Sequence, residues 1–255
     1  MFLNSATILD IPFSGGCQEE VLNKILDFEA DSKQKKSLII FTPNPEFLVE
    51  AQNNPNFKEI LQKGDINLPD GVGLVLAAKI LGIQIGQRFS GADLVEKLLS
   101  KGNEKKWTVG IVAARRGVVH ESRRLVEILQ AKYPNIKFVN LDDQKFQIFP
   151  LTDGIPPKAV TNFKFQIILA CQGMVKQEKW IMENKDRIKA RVFVGIGGSL
   201  DFLSGFAKRA PRIMRVIGLE WLWRGLQRPK HFKRIWKAVF VFGWLVIKEK
   251  LNYKL

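Results

Sequence analysis

The chain has 255 residues, of which 46% are hydrophobic, and its formal net charge is +15; this length and composition predict one large domain, or one domain with an appendage, around a substantial core. Its two cysteines, Cys17 and Cys171, are too few for a disulfide scaffold or a zinc site, so we expect buried thiols in a reducing cytoplasm. The N-terminus lacks the pattern of a secretory signal, and no stretch reaches about 18 uncharged apolar residues, so no spanning helix is expected.

Strand and helix patterns alternate along the first 199 residues. Short apolar runs predict buried strands at Ser37–Phe41, Trp107–Val112, Ile136–Val139, Phe165–Ala170 and Val192–Ile196. Amphipathic patterns predict helices at Glu19–Phe28, Glu46–Asn53, Gly71–Leu81, Ala92–Leu99, Val118–Lys132 and Gln177–Lys185. This alternation predicts an α/β fold with a mainly parallel central sheet flanked by helices, in a Rossmann-like arrangement. Ligands bind beyond the carboxyl ends of such strands, so the residues after each strand are the first candidates for a site.

The first candidate segment, residues 42–46, directly follows a predicted strand. Thr42 supplies a hydroxyl and Asn44 an amide, while Pro45 and Glu46 open the next helix. The alternative is a structural turn in which Asn44 caps that helix.

The second candidate segment is residues 68–73, which follow a short apolar stretch and precede a helix. Its carboxylate, Asp70, has no second acid beside it in the sequence. A single carboxylate in a cleft suits a general base that removes a hydroxyl proton. Helix capping is the alternative for Asp70.

The third candidate is Arg88, which precedes the helix predicted to begin at Ala92. A loop arginine is often only solvated, but Ser90 and Gly91 place a helix N-terminus next to it. An arginine beside a helix N-terminus predicts anion binding.

Glycine-containing loops follow the last two predicted strands. In the first loop, Gln177 and Glu178 are candidates for reading the hydroxyls or amides of a sugar. In the second, residues 195–198 let the backbone approach a ligand, and Asp201 is a candidate for binding a ribose or a base. Neither loop has the dinucleotide fingerprint or the P-loop pattern.

Metal-binding patterns are absent from the sequence. It has no Asp-x-Asp pair of the kind that holds a divalent cation in sugar-nucleotide enzymes, and its two histidines, His120 and His231, have no metal spacing. If phosphates bind here, arginines are expected to neutralise them.

The alternation stops near residue 200, where we place the boundary of a C-terminal appendage, residues 200–255. This segment contains thirteen Lys and Arg against three Asp and Glu, so it carries +10 of the net charge. It predicts two or three helices broken at Pro211 and Pro229, of which Ile235–Ile247 has the make-up of an interfacial helix. The alternative is a C-terminal helix packed on the core or on another subunit. The charge predicts an anionic partner: lipid head groups, nucleic acid or a phosphorylated substrate.

Taken together, these segments resemble the WecG/TagA/CpsF glycosyltransferases (glycosyltransferase family 26). The resemblance covers five ordered motifs: Thr-Pro-Asn-Pro-Glu at 42–46, Pro-Asp-Gly-Val-Gly at 69–73, Arg88 with residues 91–94, Lys-Gln-Glu at 176–178, and Arg209-Ala210-Pro211 followed by Gly-Leu-Glu-Trp-Leu-Trp-Arg at 218–224. Each motif is weak alone, and it is their order and spacing that make the match specific.

The resemblance implies a specific activity. Such enzymes transfer N-acetylmannosamine from a UDP donor to N-acetylglucosamine on a polyprenyl diphosphate, with inversion and without a metal. They act at the cytoplasmic membrane face, in teichoic acid or surface polysaccharide synthesis. The family's site residues match Asp70 as the base, Thr42, Asn44, Arg88 and Gln177 in the pocket, and Arg224, His231 and Arg234 near the diphosphate.

The sequence departs from the family pattern at three places. Val175 stands where a proline is usual, Arg115 and Arg116 follow a strand without the usual glycine pair, and His231 stands where an arginine is common. An unperturbed imidazole is mostly uncharged at neutral pH, so His231 is a weaker phosphate ligand than an arginine.

Three other functions stay open at this point. The net charge is compatible with a nucleic-acid-binding protein, although no nucleic-acid-binding signature is present. A family relative with another UDP-sugar, such as a glucose or a uronic acid, has the same motifs, and a non-catalytic scaffold is disfavoured by Asp70 and Arg88. The oligomeric state is also open.

Overall fold

A computed structural model describes residues 5–112, 114–142, 163–216, 219–227 and 229–252. The strands are β1 (Ser5–Ile8), β2 (Ile11–Ser14), β3 (Leu38–Phe41), β4 (Ile66–Asn67), β5 (Thr108–Val112), β6 (Lys137–Asn140), β7 (Phe165–Ala170) and β8 (Ala190–Gly195). The helices are α1 (Gln18–Ala30), α2 (Pro45–Asn53), α3 (Pro55–Gln62), α4 (Val72–Leu81), α5 (Gly91–Lys105), α6 (Val119–Lys132), α7 (Lys176–Asn184), α8 (Ser199–Leu203), α9 (Arg212–Val216), α10 (Glu220–Gln227) and α11 (Pro229–Asn252).

The chain folds into two compact units that each combine distant segments. The first unit is built from Met1–Gln18, Thr42–Ser90 and Lys208–Leu255, and the second from Glu19–Phe41 and Gly91–Ala207. The C-terminal helices thus pack within the first unit and do not form a compact unit of their own. That residues 200–255 act as a separate appendage stays a prediction.

Five parallel strands of the second unit lie in the order β3-β8-β7-β5-β6. The register pairs Ile39 with Phe193 and Ile167 with Val192. Ile40, Phe193 and Ile168 are fully buried, as expected of parallel strands covered by helices on both faces. The predicted α/β class with a mainly parallel sheet is confirmed, and all five predicted strands are present.

The first unit contains elements that the sequence did not predict. An antiparallel hairpin pairs β1 with β2, from Ser5 opposite Ser14 to Ile8 opposite Ile11. Its turn, Leu9 and Asp10, has positive φ angles of 51° and 63° without a glycine, so the usual Asn-Gly signal of such turns is missing. The turn is instead stabilised by a residue far away in the sequence: the Leu9 amide donates to the Glu249 carboxylate of α11, at 3.0 Å to Oε1.

Helix α11 uses one face to pack on α2 and α4. Its residues Ala238, Phe242 and Val246 are buried at helical spacing, at most 7% exposed. The opposite face is exposed and apolar, with Trp236, Phe240, Trp244, Ile247 and Leu251 each between 46% and 60% exposed.

The other expectations for the tail and the thiols are met in part. Three helices follow Pro211, as predicted, and Pro229 is the first residue of α11, a position that suits proline. In the part of the chain that the structure describes, none of the helices has the length and hydropathy needed to cross a membrane. Cys17 and Cys171 are both half-buried as whole residues. Burial nevertheless raises the pKa of the Cys171 thiol well above its ordinary value, as expected of a buried thiol.

Candidate functional site

Backbone hydrogen bonds join the first three predicted motifs within the first unit. The Asp70 amide donates to the Pro43 carbonyl at 2.9 Å, and the Phe89 amide donates to the Pro69 carbonyl at 3.0 Å. The chain around Arg88 is also held from the other side, since the Gln18 side chain donates to the Arg88 carbonyl at 2.8 Å. The three segments therefore form one connected framework.

A cavity of about 270 Å³ lies against this framework. Its lining comes from the first turns of α2 and α4, from the chain before α5, and from α10 and α11: Asn44, Pro45, Glu46, Asp70, Gly71, Val72, Gly73, Leu76, Arg88, Glu220, Ala238, Val239 and Phe242. Three predicted site residues, Asn44, Asp70 and Arg88, are thus brought together. Thr42 is buried and does not line this cavity.

Asn44 both caps α2 and lines the cavity. Its side-chain oxygen accepts the amides of Glu46 at 2.9 Å and Phe47 at 3.2 Å, and Pro45 occupies the first helical position. The capping alternative for Asn44 is therefore realised. The bonds use Oδ1, which leaves Nδ2 for a ligand in the cavity.

Asp70 is placed by the sharp turn that leads into α4. Gly71, not Asp70, is the N-cap of this helix, and its φ of 123° lies in a region that strongly favours glycine. Asp70 therefore does not cap α4, and the capping alternative for this residue is wrong. The first turn of α4 lies tightly against α2, since a Cβ on Gly73 would come within 2.9 Å of the Pro45 ring.

The polar side of the cavity combines groups that attract anions. The N-termini of α2 and α4 both line it, and the dipoles of the two helices place partial positive charge there. Asn44 caps α2, whereas the N-terminus of α4 has no side-chain cap. Arg88 adds a full positive charge. Its Nη2 lies 3.0 Å from Glu220 Oε2, and its Nη1 donates to the Arg215 carbonyl at 2.9 Å. The Nε atoms of Arg88 and Arg215 are buried and make no hydrogen bond to a described residue.

Sequence reasoning missed Glu220, although it singled out the surrounding tail segment. Glu220 is only 6% exposed and is one of three acids in the basic last 56 residues. An isolated acid within a basic, tryptophan-rich run was the available signal, because a buried carboxylate needs a cationic partner.

The opposite wall of the cavity is apolar. It consists of aliphatic and aromatic side chains from α4 and α11: Val72, Leu76, Ala238, Val239 and Phe242. The cavity thus has a carboxylate, an arginine and two helix N-termini on its polar side and an apolar surface on the opposite wall. Such a lining suits a ligand that has polar, anionic and apolar parts.

Gln177 and Glu178 lie in the second unit and hold its loops together. The Gln177 side-chain oxygen accepts the amides of Gly197 at 2.8 Å and Gly173 at 3.3 Å, which follow β8 and β7. Its amide group donates to Glu178 Oε1 at 2.6 Å, and the Val175 amide donates to Glu178 Oε2 at 2.7 Å. Through these bonds both side chains, which are at most 1% exposed, hold the loops in position. Direct contact of Gln177 and Glu178 with a sugar stays a prediction.

Burial controls the protonation of Glu178. Desolvation raises the pKa of this carboxyl from 4.5 to about 7, against the lowering effect of its hydrogen bonds from Gln177 and Val175. Glu178 is therefore a group that takes up a proton near neutral pH inside the folded protein.

Asp201 also lies in the second unit, in the first turn of α8. Its Oδ2 is 3.2 Å from Nη1 of Arg115, which also contacts Glu121 at 2.8 Å and stacks 4.6 Å from the Phe206 ring centre. Asp201 is thus part of an ion-pair cluster, and its predicted contact with a ribose or a base stays a prediction.

The three C-terminal phosphate candidates lie on helices, with side chains outside the described residues. Arg224 belongs to α10, and His231 and Arg234 belong to α11. Among the described side chains, no group of three or more His, Cys, Asp and Glu is arranged to hold a metal ion.

Comparison with known proteins agrees with this arrangement of motifs. A sequence model of the glycosyl transferase WecG/TagA/CpsF family matches residues 6–255. The N-acetylglucosaminyldiphosphoundecaprenol N-acetyl-beta-D-mannosaminyltransferases of Staphylococcus aureus strains MW2 and NCTC 8325 are each 29% identical over 247 residues, which are 97% of this chain and 94% of the relative. The chain therefore belongs to the WecG/TagA/CpsF family and is a glycosyltransferase.

Proposed function

We propose that this enzyme transfers N-acetylmannosamine from its UDP donor to N-acetylglucosamine on a polyprenyl diphosphate, in teichoic acid or surface polysaccharide synthesis. The relatives named for this reaction match 97% of the chain. The observation that carries the proposal is the cavity that combines Asp70, Arg88 and an apolar wall, because the reaction brings together an acceptor hydroxyl, the diphosphate of the leaving UDP and a lipid.

Asp70 is the proposed general base. Its carboxylate takes the proton from the acceptor hydroxyl while the hydroxyl oxygen attacks the anomeric carbon of the donor sugar. The bond between that carbon and the β-phosphate oxygen breaks, and UDP leaves with the bonding electrons. Attack from the face opposite to UDP inverts the anomeric centre.

Arginines are proposed to stabilise the diphosphate charge in a metal-independent reaction. Arg88 and the N-termini of α2 and α4 supply positive charge beside Asp70. The family resemblance adds Arg224, His231 and Arg234 from α10 and α11. These groups take the role that a divalent cation has in sugar-nucleotide enzymes with an Asp-x-Asp pair, a motif that this sequence lacks.

The other substrate contacts are proposed from the family resemblance for Thr42, Asn44 and Gln177, and from the loops after the last two strands for Glu178 and Asp201. Thr42 and Asn44 are assigned to the pocket, and Asn44 lines the cavity. Gln177, Glu178 and Asp201 are assigned to substrate binding.

The enzyme is proposed to bind the cytoplasmic face of the membrane peripherally. Helix α11 supports this assignment, because it presents five large apolar side chains to solvent on the face opposite to its packed one. Exposed Lys248 lies beside this stripe, with its ammonium 5.4 Å from the Trp244 ring centre. Tryptophan and lysine on one exposed face suit a membrane interface with anionic lipids.

Reconstitution tests the proposal. The purified protein is incubated with UDP-N-acetylmannosamine and a short-chain lipid-diphosphate N-acetylglucosamine, and both the disaccharide product and UDP are measured. Asp70→Asn should lower kcat by about 10²–10⁴, whereas Asp65→Asn, at an exposed position five residues earlier, should retain activity. Chelation of divalent cations should leave the rate unchanged.

Two results would contradict parts of this assignment. Undiminished transfer by Asp70→Asn would exclude Asp70 as the base. UDP-glucose or a UDP-uronic acid should react at least about tenfold more slowly than UDP-N-acetylmannosamine, and a preference for either would exclude the proposed sugar.

A further inference from the structure

Helix α4 exposes two large aliphatic side chains on one face. Leu76 is 53% exposed and Ile80 is 50% exposed, although the same helix buries Leu74, Ala77 and Leu81. Residues four apart lie one turn above the other, so Leu76 and Ile80 form one apolar strip. A contiguous apolar strip on a surface marks an interaction site when it continues into other apolar surface.

Helix α11 packs beside α4 and runs in the same direction. Near the start of α4, a Cβ on Gly73 would lie 3.9 Å from the Phe242 ring. Near its end, the Lys250 ammonium donates to the Leu81 carbonyl at 3.0 Å. Leu76 and Ile80 therefore lie level with residues 243–249 of α11.

This part of α11 is itself exposed and apolar. Trp244 is 60% exposed and Ile247 is 56% exposed. Two exposed cations accompany the apolar residues, Lys79 on α4 and Lys248 on α11. The charge complements the anionic head groups of a membrane leaflet.

Leu76 belongs both to this outer surface and to the cavity of Asp70. Inside, it joins Val72, Val239 and Phe242 in the apolar wall. Leu76 therefore connects the exposed apolar strip of α4 to the cavity that holds the proposed base.

We propose that this strip binds the first isoprenoid units of the acceptor's lipid chain; the proposal rests on the proposed function. The acceptor must present its sugar hydroxyl to Asp70 while the rest of its chain stays in the leaflet. The strip meets this requirement, because Leu76 connects the cavity to an apolar surface flanked by Lys79 and Lys248.

The test compares two acceptors that share the N-acetylglucosamine diphosphate and differ in the lipid. One carries a short isoprenoid chain and the other a linear, water-soluble two-carbon group, and kcat/KM is measured for both in wild type, Leu76→Asn and Ile80→Asn. The wild type should prefer the isoprenoid acceptor. Loss of contact with about two methylene groups should lower this preference about tenfold in Leu76→Asn, with a smaller loss in Ile80→Asn.

Ile213→Asn is the matched control, since Ile213 is 75% exposed on α9 and outside the cavity; it should keep the wild-type preference. Thermal denaturation checks that each variant is folded, which the exposure of both positions favours. If kcat/KM of Leu76→Asn fell equally for both acceptors, the inference would be overturned while the proposed function remained intact. An unchanged preference combined with lost flotation on phosphatidylglycerol vesicles would also overturn it, because α4 would then contact the membrane only. Transfer to neither acceptor by the wild type would instead refute the proposed function.

Discussion

The Arg88 guanidinium and the Glu220 carboxylate form a partly buried ion pair, with 3.0 Å between Nη2 and Oε2 and side chains 22% and 8% exposed. The two residues are 132 positions apart in sequence, and the second Nη of Arg88 is bonded to the Arg215 carbonyl. The charge of Arg88 is therefore compensated by the protein before a phosphate arrives. A phosphate that binds Arg88 has to share this arginine with Glu220 or displace it.

Glu220→Gln should strengthen UDP binding while it weakens the fold. The introduced amide keeps an oxygen that can accept from Arg88 but carries no charge, so the guanidinium attracts phosphate more strongly. We expect a gain of about three- to tenfold in UDP affinity and a loss of about 1–3 kcal/mol in unfolding free energy. Calorimetric titration with UDP and denaturant unfolding measure the two effects.

Glu59→Gln is the control for that variant, because Glu59 is exposed and forms an ion pair with nearby Lys63, at 2.6 Å. It should bind UDP as the wild type does. A drop in UDP affinity for Glu220→Gln would mean that Glu220 holds Arg88 in its binding orientation and does not compete with phosphate.

Gly71→Ala should destabilise the protein and reduce transfer together. Gly71 has a φ of 123°, which an alanine adopts at a cost of about 1–3 kcal/mol, and relaxation of that angle would move the neighbouring Asp70. Gly243→Ala is the opposite case, because its Cβ would meet nothing within 4 Å and alanine favours a helix interior by about 0.5–1 kcal/mol. Thermal melting of both variants measures whether stability falls in Gly71→Ala and rises in Gly243→Ala. Higher stability of Gly71→Ala would contradict the positive φ of Gly71 in the turn before α4.

The grouping of Asn44, Asp70 and Arg88 was predictable from sequence, because each follows or precedes an element whose type was readable from its pattern. The same holds for the five strands, whose buried apolar runs are long enough to recognise. The Arg88–Glu220 pair was not predictable, since two charges 132 residues apart leave no local pattern. Local signals also failed for the β1–β2 turn, where Leu9 is held by Glu249 from the other end of the chain.

Helix α11 illustrates a further limit of sequence reading. Its pattern favoured an interfacial helix, with core packing as the alternative, and the structure has features of both: Phe242 is 5% exposed and Phe240 is 59% exposed. Large apolar side chains occur on both faces of this helix, so the apolar pattern alone could not distinguish the packed face from the exposed one.

Arg191→Lys should destabilise the protein by about 2–4 kcal/mol. The Arg191 guanidinium of β8 donates to the carbonyls of Phe28 at 2.9 Å, Glu29 at 3.2 Å and Gln34 at 2.7 Å, and it also contacts the Asp31 carbonyl. A lysine ammonium cannot span carbonyls spread around the end of α1. Denaturant unfolding measures the effect.

Arg187→Lys is the matched control for Arg191→Lys, because Arg187 lies in the preceding loop and is exposed. It should stay within about 0.5 kcal/mol of the wild type. A similar change in both variants would mean that the carbonyl contacts of Arg191 contribute little to the free energy of unfolding.

Glu178 should make the protein less stable as the pH rises through neutrality. Its pKa is about 7 in the folded protein against 4.5 ordinarily, so the folded state holds a proton that the unfolded state releases. The contribution of Glu178 to the free energy of unfolding should therefore be largest below pH 4.5. It should fall by up to about 3 kcal/mol by pH 7–8. In Glu178→Gln the fall should vanish. This variant should be less stable at pH 5, because one oxygen cannot accept from both Gln177 and Val175.

Unfolding of the wild type, Glu178→Gln and Glu183→Gln between pH 5 and 8 isolates this contribution. Glu183 lies on the same helix, is exposed, and has its carboxylate 3.8 Å from the Lys179 ammonium, so its variant should keep the wild-type slope. The relevant quantity is the slope of unfolding free energy with pH, because burial of a carboxyl changes the slope while loss of a hydrogen bond shifts the whole curve. Parallel curves for the wild type and Glu178→Gln would mean that water or a neighbouring charge stabilises the ionised carboxylate, and that Glu178 remains charged while it holds Gln177 between the two loops.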